Sequence, residues 1–153
     1  MKAIVVGLGL IGGSVAKALA TNTDMEVVGC DKDLGVVRRA LSDGAIRAAF
    51  LPEDLPEADL VIVALRPQDA VAFLKRALPR MKPGALAADF CGVKRYVVRE
   101  VEPVARDRGV RYVGAHPMAG REVGGYANAD AGLFRGASLI MTPSDGRPCG
   151  ATE

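Results

Sequence analysis

Tryptophan is absent, aromatic residues make up 5% of the chain, and histidine occurs once, at His116. A single imidazole excludes a multi-histidine metal site, and no metal is expected. So few aromatics argue against a stacking platform for single-stranded nucleic acid. Neither sign of charge is in excess, since 20 Lys and Arg against 18 Asp and Glu leave a net charge of +2. Binders of nucleic acid or of anionic membranes concentrate basic charge, so neither partner is expected. The three cysteines, Cys30, Cys91 and Cys149, are odd in number and show no C-x-x-C spacing. They read as reduced thiols of a cytoplasmic protein, not as a disulfide framework or a zinc site. No stretch reaches the roughly 20 apolar residues that a membrane span requires. The apolar run at residues 3–15 contains Gly7, Gly9, Gly12 and Gly13, and Lys17 falls inside the only plausible cleavage motif. It is therefore not read as a signal peptide.

Glycine is abundant, with 18 residues, and half of the chain is hydrophobic. At about 100–200 residues per domain, 153 residues fit one domain. Apolar runs and helical periodicity alternate along it. Strands are expected at residues 2–6, 25–30, 45–48, 60–65, 85–89, 110–115 and 138–141. The run at residues 60–65 (LVIVAL) has no polar alternation, so that strand should be covered on both faces. Helices are expected at residues 10–20, with Ile11, Val15, Ala18 and Leu19 on one face, and around Val36, Val37, Ala40 and Leu41. A third should start at Pro67 and run to about Leu78, and a fourth should carry Val97, Val98, Val101, Val104 and Ala105 and end at Gly109. Residues 51–58 read as a loop. Strands that alternate with helices in this way imply an α/β fold, a doubly wound and mainly parallel sheet. Residues 1–143 are expected to form this one domain, and residues 144–153, SDGRPCGATE, read as an irregular tail.

Four segments carry chemistry. Gly7-Leu8-Gly9-Leu10-Ile11-Gly12 is a G-x-G-x-x-G turn that leaves the first strand and opens the first helix. Its glycines suit a tight turn, a close approach of backbone to a pyrophosphate, and close packing of helix on strand. Asp31 ends the second strand about 20 positions further on, where a carboxylate can accept from the ribose hydroxyls of an adenosine. It would also repel a 2′-phosphate, which favours NAD over NADP, although the neighbouring Lys32 softens that preference. The alternative for Asp31 is a solvated loop acid. Leu65 and Arg66 follow the fourth strand at its carboxyl end, where Arg66 is either a ligand contact or an exposed loop cation. Asp89-Phe90-Cys91-Gly92-Val93-Lys94 follows the fifth strand, and Lys94 there either meets a substrate carboxylate or simply starts a helix. Cys91 reads as a small packed residue rather than a reactive thiol. His116-Pro117-Met118-Ala119-Gly120 follows the sixth strand, and its imidazole is either a general base or a turn-fixing residue.

These segments, GLGLIGGS, CGVK, HPMAGRE and LFRGASLIMTP, in this order over residues 1–143, resemble the nucleotide-binding domain of the prephenate dehydrogenase family. The resemblance implies a Rossmann fold and an NAD-dependent oxidative decarboxylation of prephenate to 4-hydroxyphenylpyruvate in tyrosine biosynthesis. It implies His116 as the catalytic base, Gly7 to Gly12, Asp31, Leu65 and Arg66 on the cofactor side, and Gly92, Lys94 and Glu122 on the substrate side. Two departures stand out. Many members carry serine where this chain has Gly92, and serine or threonine where it has Arg121. Members of the family continue into a helical domain that dimerises and closes the site. A homodimer is thus expected of the full-length family, and a helical half where the present chain has its tail. The alternatives are a truncated, non-catalytic NAD-binding module and a related dehydrogenase acting on arogenate.

Overall fold

β1 (Lys2–Val6) is five residues of nearly continuous apolar sequence, and it forms the middle of the sheet because both of its faces can be buried. The computed structural model describes residues 1–143, so the tail reading and Cys149 lie outside the described residues. The remaining strands are β2 (Glu26–Cys30), β3 (Ala48–Ala49), β4 (Leu60–Val63), β5 (Leu86–Asp89), β6 (Arg111–Pro117) and β7 (Leu139–Pro143). Their order across the sheet is β3-β2-β1-β4-β5-β6-β7. Every neighbouring pair is parallel except β6 and β7, which run antiparallel. Helices α1 (Leu10–Asn22), α2 (Leu34–Ser42), α3 (Pro67–Ala77) and α4 (Lys94–Asp107) connect the parallel strands. The doubly wound sheet expected from the sequence is present.

Successive strand residues point to opposite faces, and both faces are filled. Ile4, Val6, Val61 and Val63 join Leu74, Val97 and Val101 in one core layer. Val5, Val27 and Ile62 join Leu8, Val15 and Ile46 in the other. This two-sided burial explains why the strand sequences lack alternation.

Several boundaries depart from the sequence expectation. The third strand is two residues at Ala48–Ala49, because Ala45 and Ile46 bury themselves before the chain reaches the sheet edge. Residues 51–58 are not plain loop. Pro52–Glu57 forms a 3-10 turn that seats Leu55 in the core. The fourth strand stops at Val63, so Ala64 and Leu65 already belong to the loop beyond it. On α1 the buried side runs over Gly12, Gly13, Ser14, Val15 and Ala16, while Ile11, Ala18 and Leu19 are only half-buried. Small residues are needed there because the helix is packed closely on two sides, with Gly12 against Gly7 and Ala64 and Gly13 against Tyr126 and Ala129 of the connection after β6. β6 continues through His116 and Pro117, which were expected to follow the strand. The physical reason is β7, which returns antiparallel and extends the ladder, pairing His116 with Ile140 and Pro117 with Leu139.

Candidate functional site

The chain order reverses at β1, which has β2 on one side and β4 on the other. A crevice opens outside the carboxyl ends of such strands, because the helices that follow them leave toward opposite faces. Here the crevice is a cleft of about 640 Å³ lined by Gly7, Gly9, Cys30, Asp31, Leu65 and Arg66, together with Val6, Lys32, Ala64 and Asp69. Thus Gly7, Gly9, Asp31, Leu65 and Arg66, singled out in sequence, are brought to one opening.

The glycines divide their work. Gly7 turns the chain at φ +86°, a conformation that other residues rarely adopt. At Gly12 an added Cβ would sit 1.8 Å from the Gly7 carbonyl oxygen, so only glycine lets α1 come this close to the turn. Gly9 differs, since a Cβ there would meet nothing within 4 Å. Its side faces open space, and it is also the N-cap of α1, with no side chain capping the helix. The first-turn amides of α1 are therefore available to an anion, with the helix dipole behind them.

Asp31 carries part of this turn. One carboxylate oxygen accepts from the Leu8 amide at 2.8 Å and the other from the Asp33 amide at 3.0 Å. Each oxygen keeps a lone pair for a further donor. Leu8 takes part through that amide alone, because its side chain is fully buried in the core. Leu10 and Ile11 open the helix and are half-buried. Arg66 is exposed at the start of α3, next to Pro67. An uncapped helix start, an open glycine backbone and a carboxylate lining the same cleft together suit a dinucleotide.

The second half of the site lies beyond β5 and β6. An added Cβ at Gly92 would lie 3.6 Å from His116 Cε1, so these two residues, distant in sequence, are in contact range. Among the described residues, His116 Nδ1 is buried without a hydrogen-bond partner. Lys94 does not project freely. Its ammonium is paired with Asp89 and its side chain is only 17% exposed. Glu122 is exposed on the long connection between β6 and β7. Its neighbour Arg121 is held by Asp130 at 2.7 Å.

Sequence reasoning assigned no role to Asp89, which is fully buried. It accepts from Tyr112 Oη at 2.6 Å, from the Cys91 amide at 3.0 Å and from Lys94. The signal was present: an acid ending an otherwise apolar strand, LAAD, must find partners because an unpaired buried charge is costly. Burial, with Asp89 adding to it, pushes the Tyr112 hydroxyl well above its usual range. Sequence reasoning also missed the strap that follows β6. Its Tyr126 ring packs on Gly13, with Lys17 4.7 Å above it and Asp43 accepting from its hydroxyl at 3.2 Å. The Asp130 amide donates to Ser14 Oγ at 2.9 Å. The strap therefore rests on the helix that starts at the glycine turn.

Among the described residues, Cys30 and Cys91 are held as protonated thiols. Burial, then Asp31, pushes Cys30 up to about 11, and burial, then Asp89, pushes Cys91 up to about 12. Among the described residues no cluster of three or more His, Cys, Asp or Glu is placed to hold a metal. No helix among them is long and apolar enough to cross a membrane.

Residues 15–151 match the family model described as "Prephenate dehydrogenase, nucleotide-binding domain". The prephenate dehydrogenase of Lactococcus lactis subsp. cremoris is 31% identical over 92% of this chain and 40% of its own length. That of Bacillus subtilis is 34% identical over 92% of this chain and 38% of its own length. The chain thus spans about two fifths of these curated relatives. Among solved structures, Synechocystis arogenate dehydrogenase superposes with a TM-score of 0.85 at 26% identity, covering 94% of this chain and 50% of that one. Prephenate dehydrogenase from A. aeolicus, in complex with hydroxyphenyl propionate and NAD+, gives 0.83 at 25% identity, covering 94% and 50%.

Proposed function

The chain belongs to the prephenate dehydrogenase nucleotide-binding domain family, and on that premise we propose that it is the NAD-binding and catalytic-base half of a prephenate dehydrogenase. The observation that carries the reading is the placement of His116 against Gly92 on the same sheet edge as the open Gly9 turn. A base and a dinucleotide cleft at one edge are what removal of a hydride and a proton from one carbinol requires.

In this reading the α1 amides would hold the pyrophosphate, Asp31 would accept from the adenosine ribose hydroxyls, and Leu65 and Arg66 would line the adenosine side. NAD, which is favoured over NADP because the Asp31 carboxylate repels a 2′-phosphate, supplies the hydride acceptor when bound. His116 accepts a hydrogen bond, then the proton, from the ring hydroxyl of prephenate. The ring carboxylate leaves as carbon dioxide, and the product is 4-hydroxyphenylpyruvate. Gly92 lines the hydroxyl side, where it leaves space beside the imidazole. Glu122, exposed on the strap, would be the acidic group toward the substrate, and Lys94 would contribute through its pair with Asp89. Residues 1–143 serve as the dinucleotide-binding unit, with the rest of the site supplied by a helical half like that of full-length members, which would also form the homodimer.

Calorimetric titration with NAD and NADP tests the first half of this reading. NADH formation from prephenate, and separately from arogenate, with and without an added helical domain, tests the second. Tight NAD binding with prephenate turnover in the completed protein is the expected result. NAD binding with no turnover of either substrate in the completed protein would leave a non-catalytic NAD-binding module. Absence of NAD binding would overturn both.

A further inference from the structure

Three alternating residues of β6, Tyr112, Gly114 and His116, share one face of the strand. Each meets a successive part of the turn that leaves β5. Tyr112 Oη donates to Asp89 Oδ2 at 2.6 Å. Gly114, which pairs in register with Asp89, lies under Lys94, and an added Cβ there would be 3.0 Å from Lys94 Cδ and 3.4 Å from Asp89 Oδ2. His116 Cε1 lies 3.6 Å from where a Cβ of Gly92 would be. The turn is therefore held on this strand face at two points, and Gly92 is carried to His116 between them.

The geometry points to Asp89, Lys94 and Tyr112 as positioning residues that set the spacing between the Gly92 turn and the His116 imidazole. The proposal rests on the reading of His116 as the group that meets the substrate. Asp89 collects three donors at a fully buried carboxylate, one of them the amide of Cys91, which precedes Gly92. Lys94 closes the turn from its far side, with its stem across the gap that Gly114 leaves open. Removing the lysine cation frees the α4 end of the turn, and removing the tyrosine hydroxyl frees the β5 end. Either loss lets Gly92 drift relative to His116.

His116 is the only histidine, so the imidazole Cε1–Hε1 pair gives one assignable nuclear magnetic resonance signal in the whole chain. That carbon is also the atom that an added Cβ at Gly92 would meet. The test records this signal, with circular dichroism and a melting curve, for Tyr112→Phe, Lys94→Met and Lys94→Arg in the 153-residue chain. Tyr112→Phe and Lys94→Met are expected to move it by more than its linewidth while unfolding stays cooperative. Lys94→Arg retains the cation and is expected to bring it most of the way back. An unmoved signal in the folded variants overturns the proposal, as does an equal displacement by arginine and methionine. If Lys94→Met fails to fold, Tyr112→Phe decides by the same criterion. No substrate or turnover enters the measurement, so a failure here is distinguishable from a failure of the prephenate assay.

Discussion

Gly9 and Gly12 lie three residues apart in one motif, yet the structure separates their roles, and substitution should do the same. A side chain at Gly9 meets nothing within 4 Å and has φ −70°, which any residue adopts. Gly9→Val loses a favoured N-cap residue at a cost of about 1 kcal/mol. Its smaller unfolded-state entropy returns about 0.4–1 kcal/mol. The melting temperature should therefore move by no more than about 2–4 °C, taking about 2–4 °C per kcal/mol for a chain of this size. Gly12→Ala puts Cβ 1.8 Å from the Gly7 carbonyl oxygen and 3.1 Å from Ala64 Cβ. Backbone must shift by more than an ångström, and overpacking of this kind costs about 1–3 kcal/mol or more. That corresponds to a loss of about 2–12 °C. Calorimetry with NAD completes the contrast. The valine at Gly9 occupies the backbone approach, and affinity should fall at least tenfold, about 1.4 kcal/mol, despite an intact fold. A Gly9→Val protein that binds NAD like the parent, or that melts as low as Gly12→Ala, would refute the assignment of this cleft.

The other predictions concern selectivity, catalysis and acid stability. Asp31→Ser should narrow a preference of at least about tenfold for NAD over NADP, and should also weaken NAD itself because the Leu8 amide loses its acceptor. Titration with both cofactors checks this, and an unchanged ratio would remove Asp31 from the ribose site. His116→Asn in the completed enzyme should lower the rate of NADH formation about 10²–10⁴-fold with NAD affinity unchanged, the usual worth of a positioned base. A parallel loss of NAD binding would make the residue structural. Lys82 and the Lys2 amide hold the Asp59 carboxyl below its usual range, and Lys75 and Arg99 do the same for Glu100. Groups depressed in the folded state stabilise it above their unfolded values of about 3.9 and 4.3, and that contribution is lost as pH falls through their folded values, so stability should fall as pH drops below about 4. Denaturant melts of Lys82→Met and Lys75→Met at pH 7 and pH 3 check the sign, since each substitution should matter at the higher pH and little at the lower.

The alternation of apolar runs with helical stretches dictated the doubly wound sheet, because parallel strands buried on two faces need continuous apolar sequence. The glycine spacing marked the turn, and Asp31 marked the end of β2, because both depend on backbone geometry within one strand-helix-strand unit. Pro67 announced the start of α3 for the same local reason. What lies between distant segments was not legible. That His116 is inside β6 depends on β7 returning antiparallel to pair with it, and that Gly92 faces it depends on the register of β5 against β6. Lys94 could be read as a free cation until the fold brought it to Asp89, and Tyr112 could be read as a core aromatic until its hydroxyl reached the same carboxylate. Gly13 and Ser14 end the GLGLIGGS segment and were given no separate role, yet they are where the strap after β6 docks. Local sequence settles which backbone conformations are cheap. Which polar groups neutralise one another in the interior is decided by strand order and register, and these exist only once the chain has folded.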